Sequence, residues 1–131
     1  MPSRILLVED EPELRRALRV RLTAAGFLCE TADDGKEGLA KSRQWQPHLI
    51  VADLIMPEMD GYEMVRHLKA DAQTASIPVV VLTAVPSYSL APRLAELHAA
   101  RVIHKPFDST DLLVAVRDVL ATTGGGGMQH G

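Results

Sequence analysis

Short β-branched apolar runs alternate with stretches of helical spacing along this chain. RILLV (4–8) predicts a buried strand. A helix follows, with Leu14, Ala17, Leu18, Leu22 and Ala25 on one face, Pro12 in its first turn and Gly26 as its stop. FLCET (27–31) predicts a second strand and DGKEGLAKSRQW (34–45) a weaker helix. HLIVAD (48–53) is the third strand, followed by a helix that turns Met64, Val65 and Leu68 inward. IPVVVLT (77–83) is the fourth, with Pro78 tolerated at its start, and RVIHK (101–105) the fifth. Asp108 then caps a last helix whose inward face is Leu112, Leu113, Val116, Val119 and Leu120. Five strand–helix alternations imply a parallel sheet covered on both faces. The nearly all-apolar third and fourth strands are expected at its centre.

Composition narrows the choices without naming a chemistry. With 131 residues, 47% apolar and 24% charged, the chain suits one ordinary globular domain. A net charge of −3 argues against nucleic acid or an anionic membrane as a direct partner. The arginines of LRRALRVRL (14–22) interleave with core-periodic leucines, so a solvated helix face is the plain reading. No apolar run is long enough to span a bilayer and MPSRILLVEDE lacks a signal-peptide pattern, so a cytoplasmic protein is expected. The single cysteine, Cys29, is expected to be a buried small hydrophobe. Residues 122–131, ending in GGGGMQHG, are expected to be a flexible tail, whether natural, a cut linker or an engineering scar.

The chemistry lies at the strand ends. In open α/β sheets, ligands bind beyond the carboxyl ends of the strands, at the point where strand order reverses. Glu9 and Asp10 follow the first strand, Asp53 ends the third, Thr83 the fourth and Lys105 the fifth, before Pro106. Singly these are a helix cap, a β-former and a surface charge. Jointly, three crowded carboxylates repel one another and raise each other's pKa, a conflict that a divalent cation resolves. A carboxylate beside Mg²⁺, an ammonium and a hydroxyl suits phosphoryl transfer to an aspartate nucleophile.

ILLVEDE, ADLIMPEMDG, LTA and HKPF, in that order and spacing, resemble the receiver domain of two-component response regulators, over about residues 4–121. The resemblance implies a flavodoxin-like (βα)5 three-layer sandwich with five parallel strands in the order 2-1-3-4-5. Residues 1–121 would form the receiver domain. It implies that Asp53 is the phosphoacceptor, charged from a sensor histidine kinase or a phosphotransfer protein. Asp10, Asp53 and the backbone carbonyl of Ile55 would ligate Mg²⁺ (or Mn²⁺), with Glu9 assisting through water. Thr83, the Ala84 amide and Lys105 would hold the phosphoryl oxygens, and a cis peptide would precede Pro106. Such a domain catalyses its own phosphorylation and dephosphorylation, with no separate substrate turned over. It signals to a downstream protein through the face made by the helix after strand four, strand five and the last helix.

The sequence departs from that pattern at several points. The switch position three before Lys105 is Val102 where the family carries an aromatic ring, leaving Thr83 as the remaining half of the switch. Pro86 and Pro92 push the start of the helix after strand four to near Leu90, behind a longer loop in which Tyr88 is a candidate substitute ring. His98 stands where the family usually has Gly, which predicts a strained or rearranged turn. Ile55 and Val85 flank the pocket with apolar side chains, so slow self-hydrolysis of the phosphoryl group is expected. No helix-turn-helix pattern follows residue 121, so no output activity is expected here. A competing reading is a pseudo-receiver, a binding module that phosphate does not control. A third, a flavodoxin-like cofactor binder or an aspartate-nucleophile phosphatase, is disfavoured. The first strand–helix turn, EDEPE, is acidic where a phosphate cradle wants free amides and Gly. The second aspartate such a phosphatase would need, two positions after Asp53, is absent.

Overall fold

The computed structural model describes residues 2–53, 61–84 and 98–122. Five parallel strands, β1 (Arg4–Val8), β2 (Leu28–Ala32), β3 (Leu49–Asp53), β4 (Val79–Thr83) and β5 (Arg101–His104), form one sheet in the order β2-β1-β3-β4-β5. Four helices accompany them among the described residues: α1 (Pro12–Ala24), α2 (Gly35–Trp45), α3 (Gly61–Ala70) and α4 (Ser109–Thr122). The order reverses between β1 and β3, which opens a crevice at the carboxyl ends of those strands.

Strand alternation splits the core in two. Ile5, Leu7, Leu49, Val51, Val80 and Leu82 meet Leu18 and Leu22 of α1 and Leu112, Val116 and Val119 of α4. Leu6, Val8, Ile50, Ala52, Val79 and Val81 face the other way, onto Leu39 of α2 and Met64, Val65 and Leu68 of α3. This is the three-layer arrangement. β3 and β4 are buried along their whole length, as expected for the centre of a doubly covered sheet. Close packing between α2, α3 and β1 depends on Gly38, where a Cβ would lie 2.8 Å from Met64 Sδ and 3.0 Å from Val8 Cγ2.

Local signals set the helix ends. Asp34 Oδ1 accepts the Glu37 amide at 2.9 Å while the Glu37 side chain accepts the Asp33 amide at 2.7 Å, a reciprocal cap on α2. Asp108 and Asp111 cap α4 in the same reciprocal way, at 3.0 and 3.3 Å. Gly26, with φ +102°, turns the chain after α1 in a conformation that favours glycine.

Some expectations need correction. Ala17 is exposed rather than inward, because the buried stripe of α1 narrows to Leu18 and Leu22. β2 starts at Leu28, one residue late, where it pairs with Arg4 at the start of β1. Ile77 and Pro78 precede β4, although the Pro78 carbonyl accepts the Ile50 amide at 3.0 Å. Cys29 is half-buried on an edge strand, and burial pushes its thiol pKa up to about 11, so it stays protonated at neutral pH. His98 has φ +53°, a left-handed conformation uncommon for a residue with a side chain, as the sequence led one to expect of that turn. Pro86, Tyr88, Leu90, Pro92 and the Gly-rich tail lie outside the described residues.

Candidate functional site

Each strand that borders the crevice delivers one polar side chain to its rim. β1 ends at Val8, and Glu9 extends it by one ladder bond, its amide donating to the Ala32 carbonyl at 3.1 Å. That bond carries the Glu9 side chain inside, where it is 1% exposed. Asp53 is the last residue of β3, opposite Leu82, and continues the alternation of Leu49 and Val51; it is 7% exposed. Thr83 ends β4 and is buried. Lys105 follows β5, and its amide donates to the Thr83 carbonyl at 2.8 Å, tying the two strand ends together. The Lys105–Pro106 peptide is cis.

The side chains converge. Lys105 Nζ lies 2.9 Å from Asp53 Oδ2 and 3.8 Å from Glu9 Oε1. Carboxylate oxygens of Glu9, Asp10 and Asp53 all fall within 4.8 Å of one another, the one such acidic group among the described residues. Asp10 is less buried than its two neighbours.

This crowding perturbs ionisation. Burial, and then the Asp53 charge, push the Glu9 carboxyl up to about 7; the Glu11 amide and Lys105 pull the other way without balancing them. Burial alone would lower the Lys105 pKa, but the hydrogen bond and charge of Asp53, with Glu9 beyond it, outweigh that and raise it. One ammonium therefore serves two buried carboxylates with a third close by.

Does this donor set fit the divalent cation that the sequence suggests? Glu9 Oε2 accepts the Glu11 amide at 3.2 Å, but Glu9 Oε1 is buried with no hydrogen-bond partner. A buried carboxylate oxygen without a donor is costly. All the donors here are hard oxygens, the kind Mg²⁺ takes. The residues fit. Ile55, whose carbonyl is the remaining expected ligand, and Val85 lie outside the described residues.

Of the other residues singled out, Ala84 is exposed just beyond β4, and Val102 is half-buried on β5 against the α2/α3 side of the core. Trp45 and Phe107 pack against opposite core clusters, and His48 accepts the Arg4 amide at Nδ1, 2.8 Å away. One participant was missed. Arg15, expected on a solvated face, instead reaches back to the loop that carries Glu9 and Asp10. Its position a turn and a half after the acid pair was the only signal.

The comparisons with known proteins agree with this geometry. A family model described as the response regulator receiver domain matches residues 5–117. The chain is 36% identical over 120 residues to the DNA-binding dual master transcriptional regulator RpaA of Synechocystis, covering 92% of this chain and 50% of that protein. It is 39% identical over 116 residues to hybrid signal transduction histidine kinase D of Dictyostelium discoideum, covering 88% of this chain and 7% of that protein. The chain thus spans about half the length, or far less, of these curated relatives. Among solved structures it is similar to Vibrio cholerae chemotaxis protein CheY4, with a TM-score of 0.86 and 31% identity over 92% of this chain and all of that one. A signal receiver domain of a histidine kinase from Syntrophus aciditrophicus gives a TM-score of 0.86 and 33% identity, covering 93% and 92% of the two chains.

Proposed function

This chain belongs to the response regulator receiver domain family, and on that premise we propose that Asp53 accepts a phosphoryl group from a phosphohistidine on a sensor kinase or phosphotransfer protein. The observation that carries the reading is the 2.9 Å contact between Lys105 Nζ and Asp53 Oδ2, set beside two further carboxylates. A structural ion pair would not need that surplus of negative charge.

An Asp53 carboxylate oxygen attacks phosphorus in line. The new P–O bond forms as the bond to the donor nitrogen breaks, and the released imidazole takes up a proton. The product is an acyl phosphate. Lys105 already holds the nucleophile and lies where its charge meets the phosphoryl oxygens as negative charge grows on them. The Thr83 hydroxyl, fixed at the adjacent strand end, offers a further hydrogen bond. Mg²⁺, held by Asp10 and Asp53 with Glu9 behind them, would supply charge neutralisation at the transferred oxygens. The wall of β3 and β4 keeps bulk water from the far side of Asp53.

The phosphorylated state then biases a two-state equilibrium in the binding face around β5 and α4. Val102 gives that face a small side chain where a ring would make a larger displacement, which favours a modest response. It also favours a second reading, in which the domain binds its partner regardless of phosphate. Incubation with a small phosphodonor and Mg²⁺ separates the two. We expect a one-phosphate mass gain in the native protein and none in Asp53→Asn; no gain with any donor would establish the second reading.

A further inference from the structure

Arg15 makes contacts that a solvent-facing helix residue would not. Its Nη1 donates to the Glu9 carbonyl at 2.9 Å and, more weakly, to the Asp10 carbonyl at 3.5 Å. Two consecutive carbonyls of the acidic loop therefore accept from one guanidinium nitrogen. The same Nη1 lies 3.4 Å from Asp33 Oδ1, in the loop after β2, and the side chain is only 21% exposed. The guanidinium thus joins two neighbouring rim loops and the first turn of α1.

The loop it holds has reason to open. Glu9, Asp10 and Glu11 are consecutive acids, and mutual repulsion favours any backbone rotation that spreads them. Fixing the carbonyls of Glu9 and Asp10 removes that freedom, so both side chains stay directed toward Asp53.

We propose that Arg15 is a positioning residue for the acidic cluster: it clamps the β1–α1 loop by its carbonyls and so sets the affinity of the cluster for a divalent cation. The inference rests on the phosphoacceptor reading of the same site. It differs from a simple charge effect in sign. A positive charge on this loop repels a cation, so by Coulomb's law alone its removal would tighten Mg²⁺ binding. If the clamp dominates, removal weakens it.

The test is an Mg²⁺ titration of the full chain followed by amide NMR shifts, which needs no phosphorylation. The Glu11 amide, donated to Glu9 Oε2, reports the loop directly. Arg15→Met is expected to shift that amide before any metal is added and to raise the Mg²⁺ dissociation constant by about 10-fold or more, the usual cost of losing a residue that orients metal ligands. Asp33→Asn, which keeps the carbonyl contacts, is expected to stay within about twofold of wild type, as for a loss of one exposed ion pair. Arg15→Lys keeps the charge on a side chain one atom shorter than the reach of Nη1 and serves if the Met variant does not fold; it should bind about threefold more weakly or worse. Unchanged or tighter binding in Arg15→Met, wild-type binding in Arg15→Lys, or an equal loss in Asp33→Asn overturns the clamp while leaving the cation site standing. A native protein that binds no Mg²⁺ overturns both.

Discussion

The two ends of the sheet use polar groups in opposite ways. At the amino end, polar groups stitch the chain together. The Arg4 amide donates to His48 Nδ1, the His48 amide returns to the Arg4 carbonyl at 2.8 Å, and the Arg4 guanidinium reaches the Gln46 carbonyl while lying 5.9 Å from the Trp45 ring centroid. At the carboxyl end, three carboxylates share one ammonium, and a buried oxygen of Glu9 has no donor. The amino end also leaves one buried atom, Arg4 Nε, without a hydrogen-bond partner, but it gathers no excess of like charge. The other holds a concentration of negative charge that a proton on Glu9 or an added cation relieves, and this difference supports the carboxyl end as the proposed site.

The contrast can be broken most severely at Lys105. Lys105→Met removes the ammonium beside Asp53, and phosphoryl transfer from a small donor should slow by about 10²-fold or more, read as the rate of mass gain. The mirror change, Arg4→Met, should leave that rate unaltered.

Next in size is the pH dependence of the metal-free protein. The folded-state pKa of Glu9, about 7, lies above its ordinary 4.5, so the folded protein holds this proton more tightly than the unfolded chain. The stability this contributes is fully present below about 4.5 and lost as pH rises through about 7, a change of up to about 3 kcal/mol. Melting temperatures measured in chelator should show Glu9→Gln gaining on wild type across that window, with Mg²⁺ closing the gap by stabilising wild type.

Arg4→Met should cost about 1 kcal/mol in denaturant unfolding, the sum of one cation–π contact and one hydrogen bond near the surface. The smallest effect sharpens the comparison by its sign. Burial, and then Arg4, lower the pKa of His48, whose Nδ1 acts as an acceptor. Its contribution is present above the ordinary value and lost as pH falls through the lowered one. Wild type should therefore lose about 0.5 kcal/mol or less below pH 6.5 relative to His48→Gln, an exposed site being well screened. Acid relaxes the carboxyl end and loosens the amino end.

Much of this was legible in the sequence because period and strand ends are local properties. β-branched runs gave the strands, and their last residues gave Glu9, Asp53, Thr83 and Lys105 as members of one rim. The strand order was not local; it came with the resemblance carried by ADLIMPEMDG and HKPF. Arg15 escaped because helical spacing gives the direction of a side chain's root but not how far a long one folds back. Ala17 misled for a related reason: a small residue beside the stripe satisfies the period whether or not anything covers it. The pKa of Glu9 needed three-dimensional distances, since its largest cause is burial and its second a charge 44 positions away in the chain.

The central claim is that Asp53 itself becomes the acyl phosphate. Borohydride reduces an acyl phosphate to the alcohol, so treating the phosphorylated protein and sequencing its peptides by mass locates the acceptor. Position 53 is expected to convert to homoserine, only after exposure to the donor. Conversion at Asp10 or Glu9 instead, or a phosphate gained with no conversion at all, would contradict it.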